Sequence, residues 1–387
     1  MSDMSSPFCL RLEGEGDGPR VAIKDTIAIK GYPTRAGSQA LADAPPEAHN
    51  AEVVDRLLAA GCVIVGKTKL HELAYGVTGI NKAQGTPLNP LYPDYVPGGS
   101  SSGSAAAVAC AEADFALGTD TGGSIRIPAA CCGVFGLKPS FGLVSRQGIL
   151  PPRTTLDCVG PFAPTARWIT RAMEMIAPRF RNVALPQGLR VGVLDVPSAP
   201  VMHEMVRYMA ELSGGIVTHH VLPGFAEAYT AGMDIIAAET FTASGHLLAT
   251  GRIAPDVAVR LEKAGQISQE TLDRAEEARA RFTAQTDALL REVDVIMLPT
   301  LPEPPPRLGT PPGGPQVLRI TEMVRPFNLS GHPAYAVPVR TLHEFPVSLQ
   351  LVGRKGEDGL LCALAEFLEQ RFPQHIGLRS TPVTTEG

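Results

Sequence analysis

The chain has 387 residues, of which 44% are hydrophobic and 19% are charged, and its formal net charge is −5. This apolar content excludes an intrinsically disordered chain, and the length allows two or three domains or one large α/β domain. The slightly negative charge, without a basic run, argues against nucleic acid as an obligatory ligand. No stretch is long and apolar enough for a signal peptide or a transmembrane helix, so we expect a cytoplasmic protein without a membrane partner.

The first half of the chain predicts strands that alternate with short helices. Arg20–Ile29 alternates β-branched and polar residues, which predicts a strand pair or hairpin. Ala51–Ala60 carries its apolar residues on one helical face and stops at Gly61, and residues 62–65 continue as a short apolar strand. Ser104 is expected to cap an alanine-rich helix, and another short strand follows that helix. This alternation favours an α/β fold.

The second half predicts longer helices and one proline-rich segment. Leu189–Leu194 has the composition of a buried strand, and Glu270–Val293 that of a charged amphipathic helix that leads into another strand. Leu301–Gln316 contains seven prolines in sixteen residues, which predicts an exposed loop or linker. An amphipathic helix through Leu360–Leu368 is expected near the end of the chain. We find no internal repeat.

Two kinds of motif suggest chemistry that their context does not support. Gly61–Thr68 matches the P-loop expression, but a helix precedes its first glycine and its interior is β-branched and apolar, so we reject nucleotide binding. The pairs His71-Glu72, His203-Glu204 and His219-His220 lack the spacing that zinc coordination on a helix requires, so we predict no metal site. The seven cysteines are scattered through apolar segments, which indicates reduced and mostly buried thiols.

Two glycine–serine clusters carry the strongest chemical signal. They are Pro97–Ser104 and Gly118–Arg126, and one predicted helix and one predicted strand separate them. Each cluster by itself is compatible with a simple tight turn. Glycines allow consecutive backbone N–H groups to point the same way, so an oxyanion hole could form in the second cluster from Thr121, Gly122, Gly123 and Ser124.

Lys24, in the apolar segment VAIKD, supplies a third piece. No histidine lies between Gly98 and Pro161, so a serine nucleophile in these clusters needs another base. A lysine can act as that base only when it is neutral. Lowering its pKa from about 10.4 to near 7–8 costs about 4 kcal/mol, which burial in an apolar strand can supply.

These segments together resemble the amidase signature family. The resemblance rests on Lys24 in VAIKD, Ser100 in PGGSSSGS, Ser124 in GTDTGGSIRIPA, and the following segments GVFGLKPSFGLVSRQGI and LDCVGP. Lys24 and Ser100 are 76 residues apart, and Ser100 and Ser124 are 24 residues apart, close to the family's arrangement. The similarity is dense over residues 21–167 and returns more weakly at residues 295–300, 327–338 and 346–353.

The resemblance implies a fold and a catalytic triad. The expected fold is a single large α/β domain over residues 1–387, with a mixed central β-sheet flanked by helices on both faces. It would consist of a signature core (about 20–170), a variable substrate-pocket region (about 185–320) and a C-terminal return to the core (about 321–375). Ser124 would be the nucleophile, Ser100 a bridging serine after a cis peptide bond at Gly99, and Lys24 the base, with an oxyanion hole at residues 121–124.

The resemblance also suggests supporting and substrate-binding residues. For several of these residues a plain structural role is the alternative. Asp120 and Arg126 could form an ion pair that holds the loop, Tyr75 could pack in the core, and Arg153 and Arg325 could be exposed to solvent. The expected supporting residues are Ser101, Ser102, Asp120 and Arg126. The candidate substrate contacts are Tyr75, Arg153 and Arg325, and the two arginines are candidates for binding a substrate carboxylate.

The expected activity is that of an amidase without a cofactor. We expect it to cleave a small polar linear amide or ureido compound, and to release ammonia or an amine. One alternative is the glutaminase subunit of a tRNA-dependent amidotransferase, which needs partner subunits, and another is an inactive amidase-like scaffold subunit. Compared with the family, this chain has few residues before Lys24. The N-terminal helices that precede this lysine in the family often contribute pocket walls or dimer contacts, so a homodimer is expected only as a possibility.

Overall fold

The computed structural model describes residues 4–14, 16–311 and 313–378, so the ends of the predicted 1–387 domain, Glu15 and Pro312 lie outside the described residues. Within the described part, eleven strands form one sheet in the order β1-β3-β2-β4-β6-β5-β10-β11-β9-β7-β8. The strands are β1 (Phe8–Arg11), β2 (Arg20–Lys24), β3 (Val63–Thr68), β4 (Phe115–Asp120), β5 (Phe135–Lys138), β6 (Cys158–Ala163), β7 (Arg190–Leu194), β8 (Ile216–His220), β9 (Val295–Pro299), β10 (Ala334–Val339) and β11 (Val347–Val352).

Helices connect these strands, and the described part of the chain has short 3₁₀-helices at Gln39–Leu41, Glu72–Ala74 and Gly245–Thr250. The α-helices are α1 (Glu52–Ala59), α2 (Ser102–Ala109), α3 (Arg126–Cys132), α4 (Ala166–Ile176), α5 (Pro200–Leu212), α6 (Phe225–Ser244), α7 (Pro255–Ala264), α8 (Gln269–Glu292), α9 (Pro315–Arg319), α10 (Arg325–Leu329) and α11 (Asp358–Arg371). None of the helices described in the structure is long and apolar enough to cross a membrane.

The central strands are buried on both faces. Val21 and Ile23 of β2 pack in one buried cluster, while Ala22 between them packs in another, and the same alternation holds along β4. Because successive side chains of a strand point to opposite faces, the two clusters lie on opposite sides of the sheet. Helices α1, α4, α5 and α11 contribute to the first cluster, and α2 and α3 to the second. The predicted α/β fold with helices on both faces is confirmed.

Parallel pairing brings the carboxyl ends of two strands together. β2 pairs in parallel with both β3 and β4, so Lys24 at the end of β2 lies near the end of β4. Ligands in open α/β sheets bind outside the carboxyl ends of the strands. Helix α6 packs in a third buried cluster with α8, β9 and α10, and residues of α6 and α10 line the cavity that opens at this edge.

Three predicted features differ in the structure. Arg20–Ile29 is not a hairpin, because only its first half forms a strand, and that strand pairs in parallel within the sheet. Ser104 does not cap α2: the helix begins at Ser102, and the buried Ser104 hydroxyl instead bonds to the Leu117 carbonyl at 2.9 Å. The proline-rich segment is exposed only from Arg307 onward, because its start at Leu301 packs in the core.

The cysteines are mostly buried, as expected. Among the described residues all seven are free thiols, and only Cys9 and Cys110 are exposed. No group of three or more potential metal-ligating side chains occurs in the part of the chain that the structure describes.

Candidate active site

Lys24 lies at the centre of the candidate site and is fully buried. Its Nζ lies 2.8 Å from Ser100 Oγ and 2.8 Å from Thr119 Oγ1. Burial lowers the pKa of Lys24 from its usual 10.5 to about 7, although the carboxylates of Asp157 and Asp120 oppose that shift. An amine with this pKa is largely neutral just above neutrality, so it can accept a proton.

The two glycine–serine clusters meet beside this lysine. The peptide bond between Gly99 and Ser100 is cis, as the resemblance implied. The Ser101 N–H donates a hydrogen bond of 3.3 Å to the Ser124 carbonyl, so the loop before α2 lies against the loop before α3. Ser124 is 9% exposed and lines a cavity of about 350 Å³. Its hydroxyl makes no hydrogen bond with any described residue, Ser100 included.

The turn from β4 into α3 is built around the buried Asp120 carboxylate. It accepts hydrogen bonds from the Gly123 N–H at 2.7 Å and the Ile125 N–H at 3.1 Å, and it pairs with Arg126 at 3.0 Å. Burial alone would raise the pKa of Asp120, but the Arg126 guanidinium and hydrogen bonds from Arg126 and Asn328 hold it well below its usual range. The carboxylate therefore stays ionised and fixes the turn.

Arg126 connects the same turn to the C-terminal half of the chain. Its guanidinium donates to the Val324 carbonyl at 2.7 Å and to Gln350 Oε1 at 2.8 Å, and it also contacts Asn328 Oδ1. A fully buried arginine with this set of partners acts as a structural tie. The ion pair expected between Asp120 and Arg126 is present.

The four predicted oxyanion-hole residues are not equivalent. The Gly123 N–H is already bound to Asp120, whereas the N–H groups of Thr121, Gly122 and Ser124 bond to no acceptor among the described residues. Gly123 has φ +115°, a conformation that residues with a side chain rarely adopt. A Cβ on Gly122 would lie 2.8 Å from Ile236 Cδ1. The local geometry therefore requires a glycine at position 123, whereas a side chain at position 122 would displace the end of the Ile236 side chain.

Two polar residues of the site were not singled out from the sequence. Thr119 contacts the Lys24 amine, and the buried Asp157 accepts a hydrogen bond of 2.8 Å from Thr121 Oγ1. Burial raises the pKa of Asp157, while Arg146, at 2.8 Å, and Lys24 lower it. The position of Asp157 in the motif LDCVGP was the available signal, but nothing in the spacing indicates that it approaches Lys24.

The two serines predicted as supports differ. The Ser101 hydroxyl bonds to the Thr119 carbonyl at 3.2 Å and thereby joins the first cluster to β4. The buried Ser102 hydroxyl has no hydrogen-bond partner among the described residues, so its supporting role stays a prediction.

The candidate substrate contacts divide into two groups. Tyr75 and Arg325 line the cavity that reaches Ser124, and Tyr75 also lines a second, more apolar cavity of about 230 Å³. Arg153 is exposed and lines neither cavity, although its neighbours Pro152 and Thr154 line the second. A substrate contact of Arg153 stays a prediction without a geometric argument.

The rejected P-loop match is a strand. Gly61 ends the turn after α1 with φ +78°, and Val63–Thr68 is β3. Lys67 of this segment is buried and pairs with Asp25 at 2.8 Å, so its amine is not available to a phosphate. His71 is also buried, and burial lowers its pKa to about 3, which makes it a neutral core residue.

The chain belongs to the amidase family, because the family's sequence profile, described as Amidase, matches residues 17–362. It is thus an amidase-family hydrolase of the class that acts on carbon–nitrogen bonds.

The chain is similar to proteins whose names describe different activities. The chain is 35% identical to a glutamyl-tRNA(Gln) amidotransferase subunit from Halobacterium salinarum, over 91% of this chain and 95% of that protein. It is 32% identical to Amidase 1 of Oryza sativa subsp. japonica, over 91% and 90% of the two chains. A solved chain, described with a vestigial protein complex that reveals the origins of an s-triazine catabolic enzyme, superposes with a TM-score of 0.87 at 28% identity, over 95% and 87%.

Proposed function

We propose that this protein hydrolyses the C–N bond of a small polar amide or ureido compound through an acyl-enzyme on Ser124. The observation that carries the proposal is the fully buried Lys24 amine, 2.8 Å from the Ser100 hydroxyl, at the edge of the sheet where both glycine–serine loops meet. Burial lowers the pKa of this amine to about 7, so near neutral pH it can serve as a base.

Acylation proceeds by a proton relay. Neutral Lys24 accepts the proton of Ser100, and Ser100 takes the proton of Ser124 as the Ser124 oxygen attacks the amide carbon. The Ser124 and Ser100 hydroxyls must approach each other in the substrate complex, since catalytic hydrogen bonds often tighten only there. The free N–H groups of Thr121, Gly122 and Ser124 stabilise the oxyanion, and removal of one such donor typically costs about 10²–10³ in rate.

The relay then runs in the opposite direction. The proton held by Lys24 returns through Ser100 to the leaving nitrogen, the C–N bond breaks, and ammonia or an amine departs. A water molecule attacks the Ser124 ester, gives its proton to the relay, and releases the carboxylic or carbamic acid with the regenerated serine. The steps balance without a cofactor, and Asp157 holds Thr121 in place through its hydroxyl.

The dimensions of the cavity support a small substrate. The space in front of Ser124 has a volume of about 350 Å³, at the lower end of ligand sites, which span about 300–1,000 Å³. Its lining combines apolar side chains of α6 with the polar Tyr75 and Arg325. A small linear amide or a urea derivative fits the part of the site next to Ser124, and the cavities of about 230 and 740 Å³ that share lining residues with it would leave space for a longer substituent.

A second candidate function is favoured by one of the relatives. The identity to the glutamyl-tRNA(Gln) amidotransferase subunit extends over nearly the whole of both chains. In that role, the protein would release ammonia from glutamine with the same serine and pass it to a partner protein. This candidate predicts glutamine hydrolysis that partner proteins stimulate, whereas the first predicts hydrolysis of small amides by the chain alone.

Covalent labelling tests the proposed nucleophile. A fluorophosphonate probe should add one adduct to the wild-type protein, mapped to Ser124 by peptide mass spectrometry, and Ser124→Ala should lose both the adduct and ammonia release. Ser198→Ala is the matched control, because the Ser198 hydroxyl is buried without a hydrogen-bond partner and lines no described cavity.

The possible results separate the candidates. Labelling of Ser124 with turnover of a panel of small amides and ureas supports the amidase. Labelling with turnover of L-glutamine alone supports the amidotransferase role. Absence of labelling in the folded wild-type protein would indicate an inactive scaffold and would refute the proposal.

A further inference from the structure

Arg325 is positioned directly beside the glycine loop of the candidate site. It begins α10 and lines the same cavity as Gly122 and Ser124. Its aliphatic stem lies over Gly232 of α6, where an added Cβ would come within 2.8 Å of Arg325 Cγ. A Cβ on Gly122 would lie 3.1 Å from Arg325 Nε. Two glycines therefore make the space that brings the guanidinium group next to the predicted oxyanion hole.

No carboxylate of the described residues neutralises Arg325. Its Nε is buried without a hydrogen-bond partner, and no ion pair among the described residues includes it. The guanidinium instead lies 5.1 Å from the centre of the Tyr229 ring. Burial lowers the pKa of Arg325, and Tyr229 and Tyr75 oppose that shift. By contrast, the buried Arg126 and the largely buried Arg146 both have a carboxylate partner.

The other charges of the cavity leave it positive. Arg260 is neutralised by Asp256 at 3.0 Å, whereas Lys263 forms no ion pair with a described residue. Asp234 is the acidic residue of the lining, and burial raises its pKa although Arg274 opposes that shift. A wider cavity of about 740 Å³ shares Arg260, Lys263 and Arg325 with the first. Lys82 also lines it, and its acidic residues are Glu72 and Asp256, so cations outnumber carboxylates there as well. An approaching anion therefore meets an excess of positive charge.

We propose that Arg325 is a specificity-determining residue that binds a carboxylate of the substrate. The substrate class is then a short amide or ureido compound whose carboxylate lies one or two atoms from the scissile carbonyl, because the guanidinium lies beside the loop that would hold that carbonyl. The inference rests on the proposed function and narrows its substrate. A planar guanidinium binds a carboxylate through two parallel hydrogen bonds, so charge and geometry both contribute to recognition.

Paired substrates test this inference. Malonamate and succinamate each carry a carboxylate at short range, and malonamide and succinamide are their neutral counterparts of nearly equal shape. The wild-type enzyme should prefer each anion by about 100-fold in kcat/KM, because the carboxylate accepts two charge-assisted hydrogen bonds where the carboxamide accepts only one, on a neutral oxygen. L-Glutamine, with three carbons between its two carbonyl groups, should be a poorer substrate than succinamate.

Two substitutions separate recognition from structure. Arg325→Met keeps the stem over Gly232 and should lose most of the preference, mainly through a higher KM for the anions, so that kcat/KM falls by a larger factor for each anion than for its neutral counterpart. Arg325→Lys keeps the positive charge but lacks the two parallel N–H donors of the guanidinium, so it should retain part of the preference. Arg207→Met is the control, because Arg207 is an exposed residue of α5 that lines no described cavity.

The outcomes are distinct from those of the proposed function. Two results would overturn the assignment of Arg325. One is an equal kcat/KM of the wild-type enzyme for the charged and neutral members of a pair, and the other is an equal loss of kcat/KM for both members in Arg325→Met. In either case Ser124 would still react with a neutral fluorophosphonate. If Ser124 of the wild-type protein does not react with that probe, the proposed function is refuted, and the proposed carboxylate site is refuted as well.

Discussion

The amine of Lys24 gives the candidate site a defined pH dependence. With a pKa of about 7 in the folded protein, this amine is protonated and unable to accept a proton at lower pH. We therefore expect kcat/KM to rise about tenfold per pH unit below about pH 7 and to level off above it, because only the neutral amine acts as a base. The measurement is the rate of ammonia release, or of Ser124 labelling, between about pH 5 and about pH 10.

Removal of the amine should confirm its role. Lys24→Met is expected to lower the acylation rate by about 10²–10⁴, the usual contribution of a general base. Lys30→Met, at an exposed position of the same N-terminal region, should leave the rate unchanged. A flat pH profile of the wild-type enzyme, or acylation by Lys24→Met at the wild-type rate, would contradict a lysine base.

Asp157 should tune that pH dependence. Its carboxylate raises the pKa of Lys24 and bonds to the Thr121 hydroxyl. Asp157→Asn keeps an oxygen for this hydrogen bond but removes the charge, so the pKa of Lys24 should fall further and the acidic limb of the profile should move to lower pH. The midpoint of that limb in kcat/KM is the quantity to measure.

A matched substitution separates this effect from general loss of charge. Asp195 is an exposed carboxylate outside the described cavities, so Asp195→Asn should not move the midpoint. A midpoint that stays in place or moves to higher pH in Asp157→Asn would show that the carboxylate does not act on Lys24.

At the scale of single residues, the sequence predicts which residues belong to the candidate site better than it predicts which groups they contact. Motif and spacing predict Lys24, Ser100 and Ser124, and the structure brings the first two within hydrogen-bond distance. The contact of Thr119 with the lysine and the use of the Gly123 N–H by Asp120 could not be predicted. These contacts depend on which chain segments the fold places around the amine, and one sequence contains no signal for that.

At the scale of elements, the turn between β4 and α3 depends on one buried ion pair. Asp120 accepts backbone hydrogen bonds within the turn, and Arg126 joins it to α10 and β11. Arg126→Met should lower the free energy of unfolding by about 3–5 kcal/mol, because it leaves the Asp120 carboxylate buried without its cation. The measurement is equilibrium unfolding in urea, followed by far-ultraviolet circular dichroism.

A surface ion pair provides the comparison. Arg281 pairs with Glu227 at 2.7 Å, and both side chains are about half exposed. Arg281→Met should change the free energy of unfolding by less than about 1 kcal/mol, as exposed pairs usually do. If Arg126→Met costs no more than Arg281→Met, the buried pair does not stabilise the turn.

Elements with a strong periodic pattern were predicted closely, and those defined by distant contacts were not. Helix α8, predicted over Glu270–Val293, extends over Gln269–Glu292, because its spacing of apolar residues and its length determine it locally. The hairpin predicted from Arg20 was wrong, since β2 finds its partners in β3 and β4 far along the chain. The serine-rich start of α2 was misassigned because Ser104 bonds across to β4.

At the scale of the whole molecule, the sheet is assembled from two halves of the chain. Strands β1–β6 form one end of the sheet and β7–β11 the other, and β5 and β10 join them. The class of fold followed from the alternation of strands and helices, but this strand order did not, because pairing between distant segments leaves no local pattern. The regions predicted as a core, a variable part and a C-terminal return stay a prediction that a division of the chain can test.

A division at the exposed loop between α4 and β7 tests whether the site needs both halves. We expect fragments 1–184 and 185–387 to be unfolded when expressed separately, because the first leaves the β5 edge unpaired and the second lacks the strand that β10 pairs with. Expressed together, they should reassociate through the β5–β10 pairing and the hydrogen bonds of Arg126 with α10 and β11. The complex should show one cooperative thermal transition and labelling of Ser124, and Arg126→Met in the first fragment should weaken both. Cooperative melting and Ser124 labelling of fragment 1–184 alone would show that the site is complete without the C-terminal half.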